Sequence, residues 1–387
     1  MQNGMLSEKI QERYRPLAQL LSQAGKENGV CDGNSFEIIV SGLRKRELLL
    51  EDIRRAKSFI HMEYYRFGND KAGREVRDLL LQKAAEGVEV RLLNNNLSYW
   101  LTIPSSYYRK MTRAGVEVIP FTHIRHGFKT WLYRINHQLH HKVVVIDGQV
   151  AYTGGMNLND NYFYRWRDTH MRLTGEVVRG LGASFMECWK QSGGRFNYPP
   201  EHYLPEPQPQ EAPFRNKPVQ LVYDTPEVPL SAMLSAYEGI LRNARRYVYI
   251  QTPYFVPPRP LVEAMADAVK RGVDVRLMLP KHVDTPFMGP ANRAYYKDCM
   301  EAGVTILERG GAFIHCKTLV ADDEVSIIGA SNLDWRSFYL NYEVNTIIYD
   351  SQTAQYCRSV FEEDARQSET VQKAPNCRFM RLFARML

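Results

Sequence analysis

The chain repeats itself, and that limits its possible folds more than any other feature. Residues 48–64 (LLLEDIRRAKSFIHMEY) are echoed at 236–254 (AYEGILRNARRYVYIQTPY). Each stretch is an amphipathic helical pattern running into a β-branched and aromatic strand. Residues 76–93 match 261–279, in each case a helix stopped by a glycine, Gly87 or Gly272, before an alternating strand. RAGVEVIPF (113–121) parallels EAGVTILER (301–309), and LHHKVVVIDGQVAYTGGMNLND (139–160) parallels IHCKTLVADDEVSIIGASNLDW (314–335). Each half reads strand–helix–strand–helix–strand. The expectation is an α/β protein of two homologous halves, each a mixed β-sheet flanked by helices.

Between the halves, residues 198–219 (YPPEHYLPEPQPQEAPFRNKPV) have the proline-rich, polar composition of a semi-rigid linker. The expected layout is an N-terminal segment 1–35, a first half 36–197, the linker 198–219, a second half 220–365 and a tail 366–387. The halves differ most just before their closing blocks. There the first carries an additional basic, aromatic loop, THIRHGFKTWLYRINHQ (122–138).

Both closing blocks contain H-x-K-x-x-x-x-D: His140, Lys142 and Asp147, then His315, Lys317 and Asp322. With ten histidines in the chain, about 0.03 such matches are expected by chance. An asparagine follows each histidine by 17 residues (Asn157 and Asn332), and an acid follows each by 28 (Asp168 and Glu343). Read as a strand, the motif puts His and Lys, at i and i+2, on one face. A neutral imidazole can attack phosphorus, and a carboxylate on its other ring nitrogen fixes the tautomer and steadies the resulting cation. Lysine and asparagine supply charge and donors to the phosphate oxygens. Two lysines suffice for that electrostatic work, so no metal or other cofactor is expected.

The duplicated motif closely resembles that of the phospholipase D superfamily over about residues 36–365. IHMEYYRF (60–67), HHKVVVIDGQVAYTGGMN (140–157), QTPYFVP (251–257) and GASNLDWRSFYLNYEVN (329–345) narrow the resemblance to bacterial cardiolipin synthases. The resemblance implies halves related by a pseudo-twofold with one active site at their interface, and one histidine that becomes a phosphatidyl-histidine. It makes Asp168 and Glu343 the acids that orient the two histidines. It gives Asp147 and Asp322 a bracing role within the motif rather than contact with substrate. The implied reaction joins two phosphatidylglycerol molecules into cardiolipin and glycerol. Phosphatidylethanolamine, glycerol or another alcohol would satisfy the same chemistry as acceptor. The sequence departs from the family pattern at Ala330, where serine is common, and at Asn94–Asn96, where an aspartate is often found.

Net charge of +7 favours an anionic partner. The six cysteines include no C-x-x-C pair and no zinc-ligand spacing, as suits a reducing compartment. No window approaches the roughly 18–20 apolar residues of a spanning helix. Taken with the resemblance, the expected partner is an anionic, phosphatidylglycerol-containing membrane, met peripherally on the cytoplasmic face of the bacterial inner membrane; no nucleic acid is expected. The tail CRFMRLFARML (377–387) sets Phe379, Leu382, Phe383 and Met386 on one helical face and Arg378, Arg381 and Arg385 on another. That is the pattern of an interfacial helix, or of a helix docked on the protein's own body. His61 reads as a strand-end residue and His137 as a surface or supporting one. Tyr254 and Phe255 read as either a lipid entrance or core. The competing functional classes are a phospholipase D or nuclease of the same superfamily and, more distantly, a non-catalytic lipid-binding scaffold.

Overall fold

The computed structural model describes residues 7–25, 28–95, 104–121, 136–208, 210–228 and 230–381. The chain divides into two compact units. One comprises Asp32–Asn216 with Asn341–Val344 and holds the first motif. The other comprises Met1–Cys31, Lys217–Leu340 and Asn345–Leu387 and holds the second.

The chain opens with helix α1 (Arg15–Gln23), whose Leu17, Ala18 and Leu21 join the core of the second-motif unit. The first-motif unit then runs β1 (Val30–Ile39), α2 (Gly42–Arg55), β2 (Phe59–Tyr64), α3 (Lys71–Ala85), β3 (Glu89–Asn94), α4 (Ser105–Arg113) and β4 (Glu117–Pro120). It closes with β5 (Lys142–Ile146), β6 (Val150–Gly154), α5 (Asp160–Tyr164), β7 (His170–Thr174) and α6 (Val177–Gln191). Its strands lie in the order β4-β3-β2-β5-β6-β7-β1. The β2–β3 and β3–β4 pairs are parallel, as strand–helix–strand crossovers require, and the remainder form an antiparallel meander.

The second-motif unit repeats this plan. It contains β8 (Phe214–Asp224), α7 (Ala232–Asn243), β9 (Tyr247–Gln251), β10 (Phe255–Val256), α8 (Arg259–Lys270), β11 (Asp274–Pro280) and β12 (Thr305–Arg309). It continues with β13 (Thr318–Ala321), β14 (Val325–Gly329), β15 (Leu333–Asp334), β16 (Glu343–Ile348), α9 (Ser351–Ala365) and β17 (Ser368–Thr370). The order β12-β11-β9-β13-β14-β16 reproduces β4-β3-β2-β5-β6-β7, with β17 and β8 added at the ends. Among the described residues, both units are mixed sheets flanked by helices, as the repeat predicts.

Local chemistry sets the element ends. Gly87, Gly115, Gly272 and Gly303 take φ of 90°, 91°, 87° and 86°, the left-handed cap that glycine adopts without strain. After α3 the Gly87 and Val88 N–H groups return to the carbonyls of Ala84 and Lys83, both at 3.0 Å. Pleating then sorts the side chains of the first-motif sheet. Ile60, Met62 and Tyr64, facing Ile146, Val144 and Lys142 across the β2–β5 ladder, turn towards α2 and α3. His61 and Glu63 turn to the opposite face, where Phe185, Cys188 and Trp189 of α6 pack.

Two expectations about the flanks change. The N-terminal segment is not an appendage, because its helix packs with Tyr237, Ile240 and Leu241 of α7. The linker is not free over its leading part. Tyr203, 1% exposed, meets the Phe59 ring edge-on at 5.3 Å and donates to the Glu89 carboxylate at 2.7 Å. The aromatic content of YPPEHY lets that stretch bury surface, which its prolines alone did not reveal. Among the described residues no helix is long and apolar enough to cross a membrane. Residues 122–135 of the additional loop, Asn96 and residues 382–387 of the expected amphipathic tail lie outside the described residues.

Candidate active site

The first motif stands where β5 begins. Strand pairing with β2 starts at Lys142, so His140 lies just ahead of the strand rather than within it. A different partner holds it there. The His140 N–H donates to the Tyr342 carbonyl at 2.9 Å, and the Tyr342 N–H donates to the Gln138 carbonyl at 2.8 Å. Residues 341–344 thereby belong to the first-motif unit, and they bring Glu343 with them.

The carboxylate oxygens of Glu343 lie 2.8 and 2.9 Å from Nδ1 of His140. Glu343 is fully buried, and Nδ2 of Asn341 donates to it at 3.3 Å. A buried carboxylate on Nδ1 fixes a proton there, which leaves the Nε2 lone pair for an electrophile. The sequence spacing ties Glu343 to His315, 28 residues before it; the fold sets it on His140. Lys142, also fully buried, donates from Nζ to the His140 carbonyl at 2.7 Å. The Tyr65 ring stands edge-on to the imidazole at 5.0 Å, and Lys142 Nζ lies 5.3 Å from that ring's centre.

In the second-motif unit, His315 and Lys317 immediately precede β13. Nζ of Lys317 lies 2.6 and 3.0 Å from the ring nitrogens of His315 and 2.5 Å from its carbonyl oxygen. Both side chains are buried. The Tyr254 ring approaches His315 edge-on at 6.2 Å, with its hydroxyl donating to Asp284 at 2.6 Å. Phe255 is fully buried and packs on Tyr295, so of the two aromatics weighed as lipid entrance or core, Phe255 is core.

The motif aspartates occupy equivalent positions. Asp147, at φ 52°, accepts the N–H groups of Lys57, Ser58 and Phe59 at 2.8, 2.8 and 2.9 Å. Asp322, at φ 56°, accepts those of Arg245, Arg246 and Tyr247 at 2.8, 2.8 and 2.9 Å. Arg13 adds an ion pair to Asp322 at 2.8 Å. Burial pushes the Asp322 carboxyl up, but the three N–H donors and Arg13 pull harder and hold it below its ordinary value. Each aspartate thus ties the turn after its motif strand to the residues leading into β2 or β9.

Asn157 and Asn332 follow β6 and β14, at the ends from which the motif strands start. Asn157 Oδ1 accepts the Arg66 N–H at 3.1 Å and its Nδ2 donates to the Tyr162 hydroxyl at 2.8 Å. The Asn332 backbone N–H donates to Ser337 Oγ at 3.2 Å. Asp168, fully buried, precedes β7, and its Oδ1 accepts the Thr169 N–H at 2.7 Å. A Cβ on Gly155 would sit 2.2 Å from that Oδ1, so glycine is required for the turn to pass the carboxylate.

Sequence reasoning missed the edge-on contact of Tyr65 with His140, although IHMEYYRF contained the residue. It also misplaced His61, which is central in β2 and 1% exposed, stacked at 4.4 Å on Phe185. Burial, reinforced by the neighbouring Arg91 and His202, drives its pKa well below the ordinary value, so it is a neutral core group. On the same face of the sheet, ligand atoms of Glu63, His141 and Cys188 lie within 4.8 Å of one another. Nδ1 of His141 is 2.8 Å from the Glu63 carboxylate, a hydrogen-bonded pair that already accounts for the burial of both.

A family model described as "Cardiolipin synthase, PLD-like domain" matches residues 49–189 and 237–365, which include both motifs. The major cardiolipin synthase ClsA of Bacillus subtilis (strain 168) is 37% identical over 339 residues, 86% of this chain and 69% of that protein. A cardiolipin synthase of Geobacillus sp. (strain WCH70) is 33% identical over 377 residues, 95% of this chain and 74% of that protein. Among solved structures, the phosphatidylserine synthase of Haemophilus influenzae Rd KW20 superposes with a TM-score of 0.66 at 16% identity, covering 95% of this chain and 97% of its own. At that identity the likeness is one of fold. The chain belongs to the cardiolipin synthase family of PLD-like proteins.

Proposed function

We propose that the protein transfers a phosphatidyl group through a phospho-histidine intermediate, joining two phosphatidylglycerol molecules into cardiolipin and glycerol. The observation that carries the proposal is the buried Glu343 carboxylate on Nδ1 of His140. It makes His140 the nucleophile. Nε2 of His140 attacks phosphorus, the bond from phosphorus to the glycerol oxygen breaks, and His315 gives that oxygen a proton. His315 then takes a proton from the primary hydroxyl of a second phosphatidylglycerol. That oxygen displaces His140 from phosphorus and forms cardiolipin. The developing imidazolium is stabilised by Glu343, at hydrogen-bond distance in a buried setting where charge is weakly screened.

In this reading Lys142 and Lys317 hold the phosphate oxygens, with Asn157 and Asn332 as donors. For Asn157, one amide hydrogen serves Tyr162 and the other is left for substrate. Asp168 occupies in the first repeat the place of Glu343 in the second, and is assigned the orienting role for His315. Asp147 and Asp322 brace their motif turns through backbone N–H groups. The relatives named cardiolipin synthase support the substrate class. A net charge of +7 supports peripheral attachment to an anionic membrane, on the cytoplasmic face.

The test is incubation with defined phosphatidylglycerol vesicles, lipid mass spectrometry of the products and acid-free trapping of the adduct. Cardiolipin and glycerol in equal amounts, with the phosphoryl adduct on His140, are expected. Phosphatidic acid as the sole product would make the enzyme a phospholipase instead. An adduct on His315 would reverse the two histidine roles.

A further inference from the structure

The first motif has a buried third lysine that the duplicated pattern does not contain. Lys45, one turn into α2, is fully excluded from solvent. Its Nζ lies 2.6 Å from the Met156 carbonyl oxygen and 5.3 Å from the centre of the Tyr64 ring. Met156 stands between Gly155, which grazes Asp168, and Asn157. The Met156 N–H is received by Nδ1 of His170 at 3.3 Å. The turn that presents Asn157 is therefore held at both polar ends of one residue, by an amine at its carbonyl and an imidazole at its N–H.

The other half solves the same problem without a cation. The N–H groups of Lys57, Ser58 and Phe59 on Asp147 correspond to those of Arg245, Arg246 and Tyr247 on Asp322, which fixes the alignment of the helices before them. In that alignment Lys45 corresponds to Met233, also fully buried, and His170 to Asn345. Oδ1 of Asn345 receives the N–H groups of Ala330 and Ser331 at 3.0 and 3.2 Å. A methionine and a neutral amide are thus enough to shape this turn. A buried ammonium is costly unless it has work to do. Burial drags the Lys45 ammonium down to about 7, and Asp168 pulls in the opposite direction. The same charge, with Lys142 and after burial itself, keeps His170 far below its ordinary value and so able to accept the Met156 N–H.

We propose that Lys45 is a positioning residue for phosphatidyl transfer: its ammonium clamps the Met156 carbonyl, aims Asn157, and keeps a fixed positive charge beside Asp168 in the first half alone. This rests on the reading of the site as a phosphatidyltransferase. It predicts a division of labour between the halves that the repeated motifs conceal. A group serving only to fill the core would be replaceable by methionine, as Met233 demonstrates within this same chain.

The experiment is the full-length Lys45→Met variant assayed on phosphatidylglycerol vesicles, with the wild type and Lys45→Gln in parallel. A fall in kcat of about 10- to 100-fold is expected, with KM within about two-fold, as for groups that orient a site from behind. The thermal midpoint of Lys45→Met should be equal to or above that of the wild type, the reverse of what loss of a merely structural contact gives. Unchanged kcat in a folded Lys45→Met protein overturns the proposal, as does a loss of activity matched by a lowered midpoint. Should Lys45→Met not fold, Lys45→Gln decides: reduced kcat supports the proposal and wild-type kcat overturns it. A wild type that makes no cardiolipin refutes the functional reading, whereas an active wild type beside a fully active Lys45→Met refutes the role of Lys45 alone.

Discussion

Replacing Lys45 by methionine should change not only the stability of the protein but the way that stability depends on pH. In the fold the Lys45 ammonium titrates at about 7, against an ordinary value of 10.5. The causes are burial, opposed in part by Asp168; Tyr64, His170 and the Asp52–Arg172 pair further along α2 are the other polar neighbours. Below about pH 7 the folded chain must hold a charge that the unfolded chain keeps in water. Between 7 and 10.5 the unfolded chain binds a proton that the folded chain does not, so this residue makes stability rise with pH across that window. At about 1.36 kcal/mol per pKa unit the whole effect is roughly 5 kcal/mol. The methionine variant escapes that penalty and forfeits one hydrogen bond, a loss of about 1 kcal/mol. It should therefore be more stable than the wild type by a few kcal/mol near about pH 6, and lose the advantage by about pH 10. Urea unfolding of both proteins at a series of pH values measures the difference, in which all other titrating groups cancel. A gap that is flat in pH, or that favours the wild type most strongly at low pH, would refute the reasoning.

Glu343→Gln keeps the shape beside His140 but removes the charge; kcat should fall by about 10³-fold with little change in melting, and a loss below ten-fold would dissociate Glu343 from the chemistry. Asp322→Ala leaves three backbone N–H groups without their acceptor and should cost about 2–4 kcal/mol at neutral pH. Because the folded-state pKa of Asp322 is lowered, that difference should be complete above the ordinary carboxylate range and shrink as the pH falls through it, as read by denaturant unfolding. Gly329→Ala drives a Cβ to 1.7 Å from Asn345 Oδ1, the acceptor for the turn ahead of Asn332. A loss of about 1–3 kcal/mol and a parallel fall in turnover are expected from calorimetry and product assays.

The sequence alone determined the architecture and the chemical vocabulary. Duplicated helix-and-strand periods imply two like units because each period dictates which face of an element must be buried, and that requirement is local. The two H-x-K-x-x-x-x-D blocks marked His140, Lys142, His315 and Lys317 because such combinations almost never recur by accident. Sequence distance could not say which acid meets which histidine. Glu343 lies 28 residues after His315, yet its hydrogen bond is to His140, because residues 341–344 run beside the segment ahead of β5. Lys45 in α2 and His61 in β2 looked like ordinary members of amphipathic patterns. Only packing made one a buried cation behind the Met156 turn and the other a neutral core residue. Joining α1 to the second-motif unit, and Tyr203 to the first, was likewise decided by the tertiary structure. Pattern along a chain records the periodicity of burial, whereas partners brought together across hundreds of residues depend on how separate elements stack, which no local period encodes.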